Sequence, residues 1–341
     1  MPTEKRSNAL MAIAAQCVRS WADRGSPGQA AERAIDRSVE RLREARGGTT
    51  AASAAPDSVG PVSAQPAQEQ FPGMPAPLYA ASPSRLLAFL DCPRRYRLQY
   101  LDRPSPEKRR QRAHTSLGNA VHNALRDWWD LPERTPEAGA GLVDRAWIDV
   151  GFRDAEQSRH WRRRMGAAVT TYLGGVDPAT QPVGIERTVS FVSGDLRLTG
   201  RVDRLDDRDG ELVVVDYKTS RVPSTDDDAR TSLALGLYAA AVWKMFRRRT
   251  LRVELHHVPT GTVGAHAHTP ESLTRKVEQA RSIARDARRA DLDFAERGEA
   301  SDLFPPRPGP LCGWCDLRAH CPEGQAAGPE KSDWAALEEP G

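Results

Sequence analysis

The sequence is short of several things, and each shortage excludes something. It lacks a strong charge of either sign: 49 lysines and arginines stand against 46 acidic residues, a formal net charge of +3 over 341 residues. Bulk charge therefore neither favours nor excludes a polyanionic partner. No apolar run reaches bilayer-spanning length, so no transmembrane helix is expected. The N-terminus has no basic start followed by an apolar core and a small-residue cleavage site, so a cytoplasmic chain without membrane association is expected. No internal repeat is visible. The pattern G-x-x-x-x-G-K-S/T is absent, so the chain carries no P-loop for nucleoside triphosphate hydrolysis. Cysteines number only five, an odd count that argues against a disulfide framework in a reducing compartment.

Composition divides the chain. Residues 1–46 include an amphipathic helical stretch but no recognisable chemistry, and Cys17 within them is expected to be a free thiol. Residues 47–80 are mostly Ala, Ser, Pro, Gly and Gln, which cannot bury enough surface to offset their ordering entropy, so a disordered linker is expected. An ordered domain is expected over residues 81–324, with a tail at 325–341. It opens at Ser82 with a capping residue and helical apolar spacing that runs into Cys92-Pro93. Helices are also expected over residues 115–129, 145–173, 229–248 and 270–297. Strands are expected over 184–192, 196–205, 211–218, 251–258 and 262–268. Strands flanked by helices imply a three-layer α/β/α sandwich with a mixed central sheet. Four basic clusters, at 94–97, 108–112, 162–164 and 247–249, suit either a phosphate track or solvated helix faces.

The most informative stretch is residues 200–220, Gly-Arg-Val-Asp-Arg-Leu-Asp-Asp-Arg-Asp-Gly-Glu-Leu-Val-Val-Val-Asp-Tyr-Lys-Thr-Ser. It sets Asp203 near the end of one strand, on the polar face that Leu196, Leu198 and Val202 leave. Asp216 and Lys218 end the next strand two residues apart, so they share a face. The apolar run before them suits a strand buried on both faces, and charges at its end are costly unless paired or metal-bound. An ion pair capping the sheet is one reading. The other is a site in which Asp203 and Asp216 hold Mg2+ or Mn2+, joined by the Tyr217 carbonyl, while Lys218 orients water or stabilises developing charge. Those are the parts needed to hydrolyse a phosphodiester.

Gly200-Arg-Val-Asp203-Arg-Leu-Asp and Asp216-Tyr-Lys218-Thr resemble the core of the PD-(D/E)XK nuclease superfamily, nearest to its RecB-like exonuclease branch with AddB-type and CRISPR-associated relatives. Gly118-Asn-Ala-Val-His122 resembles that branch's helical histidine motif, Cys92-Pro-Arg-Arg-Tyr its first cysteine segment, and Cys312-Gly-Trp-Cys315-Asp-Leu-Arg-Ala-His-Cys321-Pro its terminal cysteine triplet. The resemblance implies a restriction-endonuclease-like core, with Asp203 and Asp216 as metal ligands, Lys218 as catalytic lysine, His122 as supplementary ligand and Glu186 as an additional acid. It also implies a 4Fe–4S cluster on Cys92, Cys312, Cys315 and Cys321; the cysteine spacing alone admits structural zinc as well.

The activity implied is metal-dependent hydrolysis of DNA, as single strands or ends, by an exonuclease acting in repair and recombination. Without a P-loop, unwinding would fall to a separate helicase partner. The alternative is a non-catalytic DNA-binding subunit that retains the nuclease lobe as a scaffold. One departure bears on both: many relatives carry Gln four residues before the tyrosine of the helix after the lysine, and here Ala234 precedes Tyr238 at that spacing.

Overall fold

A computed structural model describes residues 77–338. The expectations for residues 1–46, Cys17 included, and for the linker up to residue 76 lie outside the described residues. The elements run β1 (Tyr79–Ala81), α1 (Pro83–Asp91), α2 (Pro93–Tyr100), α3 (Ala113–Trp129), α4 (Ala138–Ala146), α5 (Ala155–Gly174), β2 (Gly184–Ser193), β3 (Leu196–Arg208) and β4 (Glu211–Lys218). There follow α6 (Asp226–Thr231), α7 (Leu233–Phe246), β5 (Arg252–His257), β6 (Thr262–Ala267), α8 (Pro270–Arg297) and the short α9 (Pro322–Ala326).

The sheet has six strands in the order β1-β3-β4-β5-β6, with β2 on the other edge of β3. Pairings β1/β3 and β4/β5 are parallel and the rest antiparallel, so the sheet is mixed as expected. Strand β4 is its centre. Leu212 and Val214 enter a core with α1, α6, α7 and α8, whereas Val213, Val215 and Tyr217 enter a second core with α3, α4 and α5. An apolar run buried on both faces thus creates the three-layer α/β/α arrangement.

Four boundaries differ from the sequence expectation. The linker expected to reach residue 80 stops earlier, because Tyr79–Ala81 pairs with Leu196–Leu198 as β1. The single helix expected over 145–173 is two, α4 and α5. Between them Gly151 packs so tightly on the start of α3 that an added Cβ would lie 2.3 Å from the Ala113 nitrogen. The helix expected over 229–248 is also two, since Ser232 leaves helical geometry to cap α7 by accepting from the Leu235 N–H. The expected tail is part of the domain: Leu337 is 6% exposed and packs with α3, because Trp334 and Leu337 give the segment apolar anchors.

Most of the basic clusters are ties within the fold. Arg112 is 4% exposed and donates to the carbonyls of Lys331 and Ser332. Arg109 pairs with Glu330 and Asp333, and Arg97 with Asp102. Arg94 donates to the Phe304 carbonyl, and Arg162 pairs with Asp144.

Candidate metal centre

The centre lies where β3 and β4 part. Their ladder runs from Arg208 opposite Glu211 to Arg204 opposite Val215, and the next rung, Asp203 opposite Asp216, is not paired. Instead the Asp203 Oδ2 accepts from the Tyr217 N–H at 2.8 Å, so a carboxylate replaces the missing ladder bond. Asp203, expected near the end of its strand, instead lies within β3, which continues to Arg208; what ends beside it is the β3/β4 pairing.

A distortion in β2 faces the same point. Glu186 has φ of 47°, a left-handed value that costs a side-chain-bearing residue energy, and it is unpaired between the Ile185–Arg204 and Arg187–Val202 rungs. The strand turns over there. Val189, Phe191, Leu198 and Val202 face the core under α7, whereas Ile185 packs against the core under α3. The kink carries the Glu186 carboxylate towards Asp203. No residue type in the sequence signals it, because a glycine rather than a glutamate marks such a conformation.

Helix α3 supplies His122. Its motif glycine, Gly118, lies one turn earlier, where an added Cβ would touch the Thr219 hydroxyl at 3.4 Å, so the helix can lie close on the end of β4. The His122 Nε2 is 3.1 Å from the Tyr217 carbonyl oxygen, and Nδ1 is 3.5 Å from the Asp203 Oδ2. The other motif glycine, Gly200, meets Tyr238 of α7: a Cβ there would lie 2.4 Å from the ring. Burial, together with the charges of Asp216 and Asp203, pushes the Tyr238 hydroxyl up to about 12. Tyr238 therefore borders the centre rather than filling a remote part of the core.

One ligand atom from each of His122, Glu186 and Asp203 lies within 4.8 Å of the other two, the one such three-residue group among the described residues. The Tyr217 carbonyl adjoins it through His122. Asp216 stands outside the trio and is turned to Lys218, with which it is ion-paired. The structure thus brings together five of the expected side chains in two subsets, a histidine–carboxylate trio and an acid–lysine pair. Sequence reasoning missed Arg201, whose Nε is 2.8 Å from the Glu186 carboxylate. The available signal was its position two residues before Asp203 on the polar side of β3.

The charges are split. Burial pushes Asp216 up despite the Lys218 ammonium, with the Asp203 charge adding to the rise. Burial also works against ionised Asp203, but the His122 contact, the Tyr217 N–H and Lys218 outweigh it and hold that carboxyl below its ordinary value. Burial lowers His122, yet its contact with Asp203 and the surrounding carboxylates leave it raised. Glu186 is raised by burial, only partly offset by Arg201. Three crowded carboxyl groups with a raised histidine are the electrostatics of a site short of positive charge. Hard oxygen donors with one imidazole suit Mg2+ or Mn2+.

A second constellation gathers the four cysteines. Cys92, at the junction of α1 and α2, lines one cavity with Cys312, Cys315 and Cys321, and Arg94, Arg95, Arg307 and Arg318 ring it. Burial pushes the Cys315 and Cys321 thiols up, opposed in part by Arg95 and Arg94 respectively. Four thiols lining one cavity are a donor set that either a zinc ion or an iron–sulfur cluster could use.

Residues 80–322 match the family model for the PD-(D/E)XK nuclease superfamily. Among curated proteins the chain is similar to the Gene 69 protein of Mycobacterium phage D29, at 27% identity over 197 residues, or 58% of this chain. The match spans 65% of that relative's length. Among solved structures it is similar to a protein provisionally named an exonuclease from Eubacterium rectale, at 13% identity and a TM-score of 0.41, covering 71% of this chain and 88% of that one. Among the described residues, no helix is long and apolar enough to cross a membrane.

Proposed function

The chain belongs to the PD-(D/E)XK nuclease superfamily, and from that membership we propose a divalent-metal-dependent deoxyribonuclease that degrades single-stranded DNA or DNA ends as an exonuclease, in repair or recombination. The observation that carries the reading is the approach of His122, Glu186 and Asp203 to within 4.8 Å of one another, beside the Asp216–Lys218 pair.

Asp203, His122 and Glu186 would hold Mg2+ or Mn2+, with Asp216 and the Tyr217 carbonyl completing the set. Bound there, the cation would polarise a phosphoryl oxygen and make water more acidic. Asp203 is pre-aimed by the Tyr217 N–H, so its orientation is set before substrate arrives. Lys218, still partly exposed, can donate from its ammonium to a phosphoryl oxygen or to the attacking water. Tyr238 walls the centre on the α7 side. In that helix Ala234 leaves no amide to contact DNA at the expected position, so the charged and hydroxyl groups around the centre carry the substrate.

The four cysteines would hold a 4Fe–4S cluster, tying Cys92 to the C-terminal segment across the domain. Protein with about four irons per chain supports this assignment; stoichiometric zinc without iron overturns it. The nuclease reading is tested on single-stranded DNA labelled at either end, with Mg2+ or Mn2+. The wild-type protein is expected to shorten it from an end, and Asp216→Ala and Lys218→Ala to lose that activity. Equal inertness of all three with both metals would leave the non-catalytic DNA-binding subunit as the better description. A helicase partner would supply single strands, since the chain has no P-loop.

A further inference from the structure

The outer face of the β2–β3 ribbon carries an uncovered polar row. Arg197, Thr199 and Arg201 alternate outward along β3, and the register places Val192, Ser190 and Thr188 of β2 opposite them. All are exposed except the half-buried Thr199. The inward residues of the same strands, Leu196, Leu198, Val202, Val189 and Phe191, are core. The row thus consists of two guanidinium groups, three hydroxyls and one apolar side chain. It holds no acid, and the acids at its two ends are already paired. At the hairpin tip Asp195 lies 3.5 Å from Arg288, and at the inner end Glu186 lies 2.8 Å from Arg201.

Both ends of the row lead somewhere. At the tip, Arg281 of α8 lies against Gly194, and beyond it a groove of mixed charge on that helix sets Arg285, Arg288 and Arg289 beside Asp195, Asp293 and Glu296. At the inner end, two residues beyond Arg201, Asp203 belongs to the histidine–carboxylate trio. We propose that this row is the path by which the phosphates of a single DNA strand reach the metal centre, with Arg201 on a phosphate next to the one cleaved and Arg197 on another further out. The inference rests on the nuclease reading and names the substrate path of that same centre.

Charge and chemistry favour a polyanion here over a protein partner. Guanidinium and hydroxyl donors suit phosphate oxygens, and no aromatic side chain stands on the row to stack a base, so contact is with the backbone and independent of sequence. Four residues of strand separate the two arginines by about 13 Å, roughly two phosphate spacings of an extended single strand. Arg201 is 67% exposed and its partner Glu186 20%, and the ion pair engages Nε, so the other guanidinium donors can reach a phosphate while that contact stands. A cation that engaged Glu186 would free the arginine at the point where substrate is needed.

The test is binding of a fluorescent single-stranded oligonucleotide by the full chain, in EDTA, across a salt series. Arg197→Gln/Arg201→Gln is expected to lower the slope of log affinity against log salt by about 1.4, and to weaken binding about 25-fold at about 0.1 M salt. Arg163→Gln, on the exposed side of α5, removes a charge elsewhere and is expected to change neither. A double variant with the wild-type slope, in a protein that still cleaves DNA, overturns the path and leaves the nuclease intact. A wild type inert with both metals whose double variant still loses slope supports the path as a binding surface while the nuclease reading fails.

Discussion

Asp203 and Asp216 stand on adjacent strands at the same centre, yet in the metal-free protein they should respond oppositely to neutralisation. Asp203 is held below its ordinary value, so its ionised form stabilises the fold at neutral pH. That stability is present above the unfolded-state value of 3.8 and is lost as pH falls through the folded one. Asp203→Asn keeps an acceptor for the Tyr217 N–H but removes the charge from that bond and from the His122 contact. The expected cost is about 1–2 kcal/mol at pH 7, or a Tm lower by about 3–6 °C. Asp216 is raised by burial, so its stability is fully present below 3.8 and is lost as pH rises through the folded value. At pH 7 the ionised form is the costly one. Asp216→Asn removes a charge from a crowded carboxylate group and leaves Lys218 exposed enough to be hydrated, so a gain of about 0.5–1 kcal/mol is expected, a Tm higher by about 2–3 °C.

The assay is thermal unfolding followed by circular dichroism in EDTA, first at pH 7 and then at falling pH: the Asp216→Asn difference should shrink in mild acid as the wild-type carboxyl protonates, whereas the Asp203→Asn difference should persist there and shrink only below the ordinary value of 3.8. Repeating it with Mn2+ separates structure from ligation. Metal at about a hundred times its dissociation constant stabilises the wild type by about 2.7 kcal/mol, and both variants should lose most of that gain. Shifts of the same sign in EDTA would refute the electrostatic assignment. Full metal stabilisation in Asp203→Asn would refute the placement of the cation.

Gly200→Ala drives a methyl group to within 2.4 Å of the Tyr238 ring in a packed setting, so a loss of about 1–3 kcal/mol is expected in thermal unfolding, and the same substitution should cost less in a Tyr238→Ala background if this contact is the cause. Ending the chain after Gly324 removes the buried Leu337 and the carbonyls that Arg112 uses; a loss of at least about 3 kcal/mol, or about 6 °C or more in Tm, is expected, and a truncated protein as stable as the full chain would show that the segment is only appended.

What the sequence made legible follows from which interactions are local. The unbroken run before Asp216 fixes a strand buried on both faces, and from it the order of layers. Asp216 and Lys218 close a strand whose apolar run is plain, whereas Asp203 and His122 stood out by the motifs around them. The features that escaped are tertiary. Glu186 adopts a left-handed conformation for which its side chain carries no preference, so the reversal of β2 at that point has no sequence signal. Arg201 gains its partner only because that reversal presents Glu186 to it. The break between α4 and α5 depends on the start of α3 pressing on Gly151. Basic residues that looked like a phosphate track, such as Arg112, are internal because a segment some 220 residues later covers them, as the Arg112 bond to the Ser332 carbonyl shows.

That last arrangement links the two constellations of the molecule. The C-terminal cysteine segment runs on into a strap whose Asp333 carbonyl accepts from the Ala113 N–H at the start of α3, while Arg112 donates to Lys331 and Ser332 and lies over the Trp314 ring, between Cys312 and Cys315 in neighbouring sequence. Helix α3 is the element that carries His122. The same strap ends beside the loop after Lys218, where Arg221 donates to the Glu338 carbonyl. A group held by the cysteines, as proposed, would fix the root of the strap, which itself bonds to the start of the helix bearing the histidine and to the loop leaving the lysine. A ligand set assembled from three separate elements needs its supports held more tightly than a single strand end can hold them. On the proposed reading the cysteine segment would serve the metal centre by alignment at a distance: Cys315→Ser is expected to weaken Mn2+ binding, read by titration, at temperatures where circular dichroism shows the sheet intact, and unchanged Mn2+ affinity in a folded variant would refute the link.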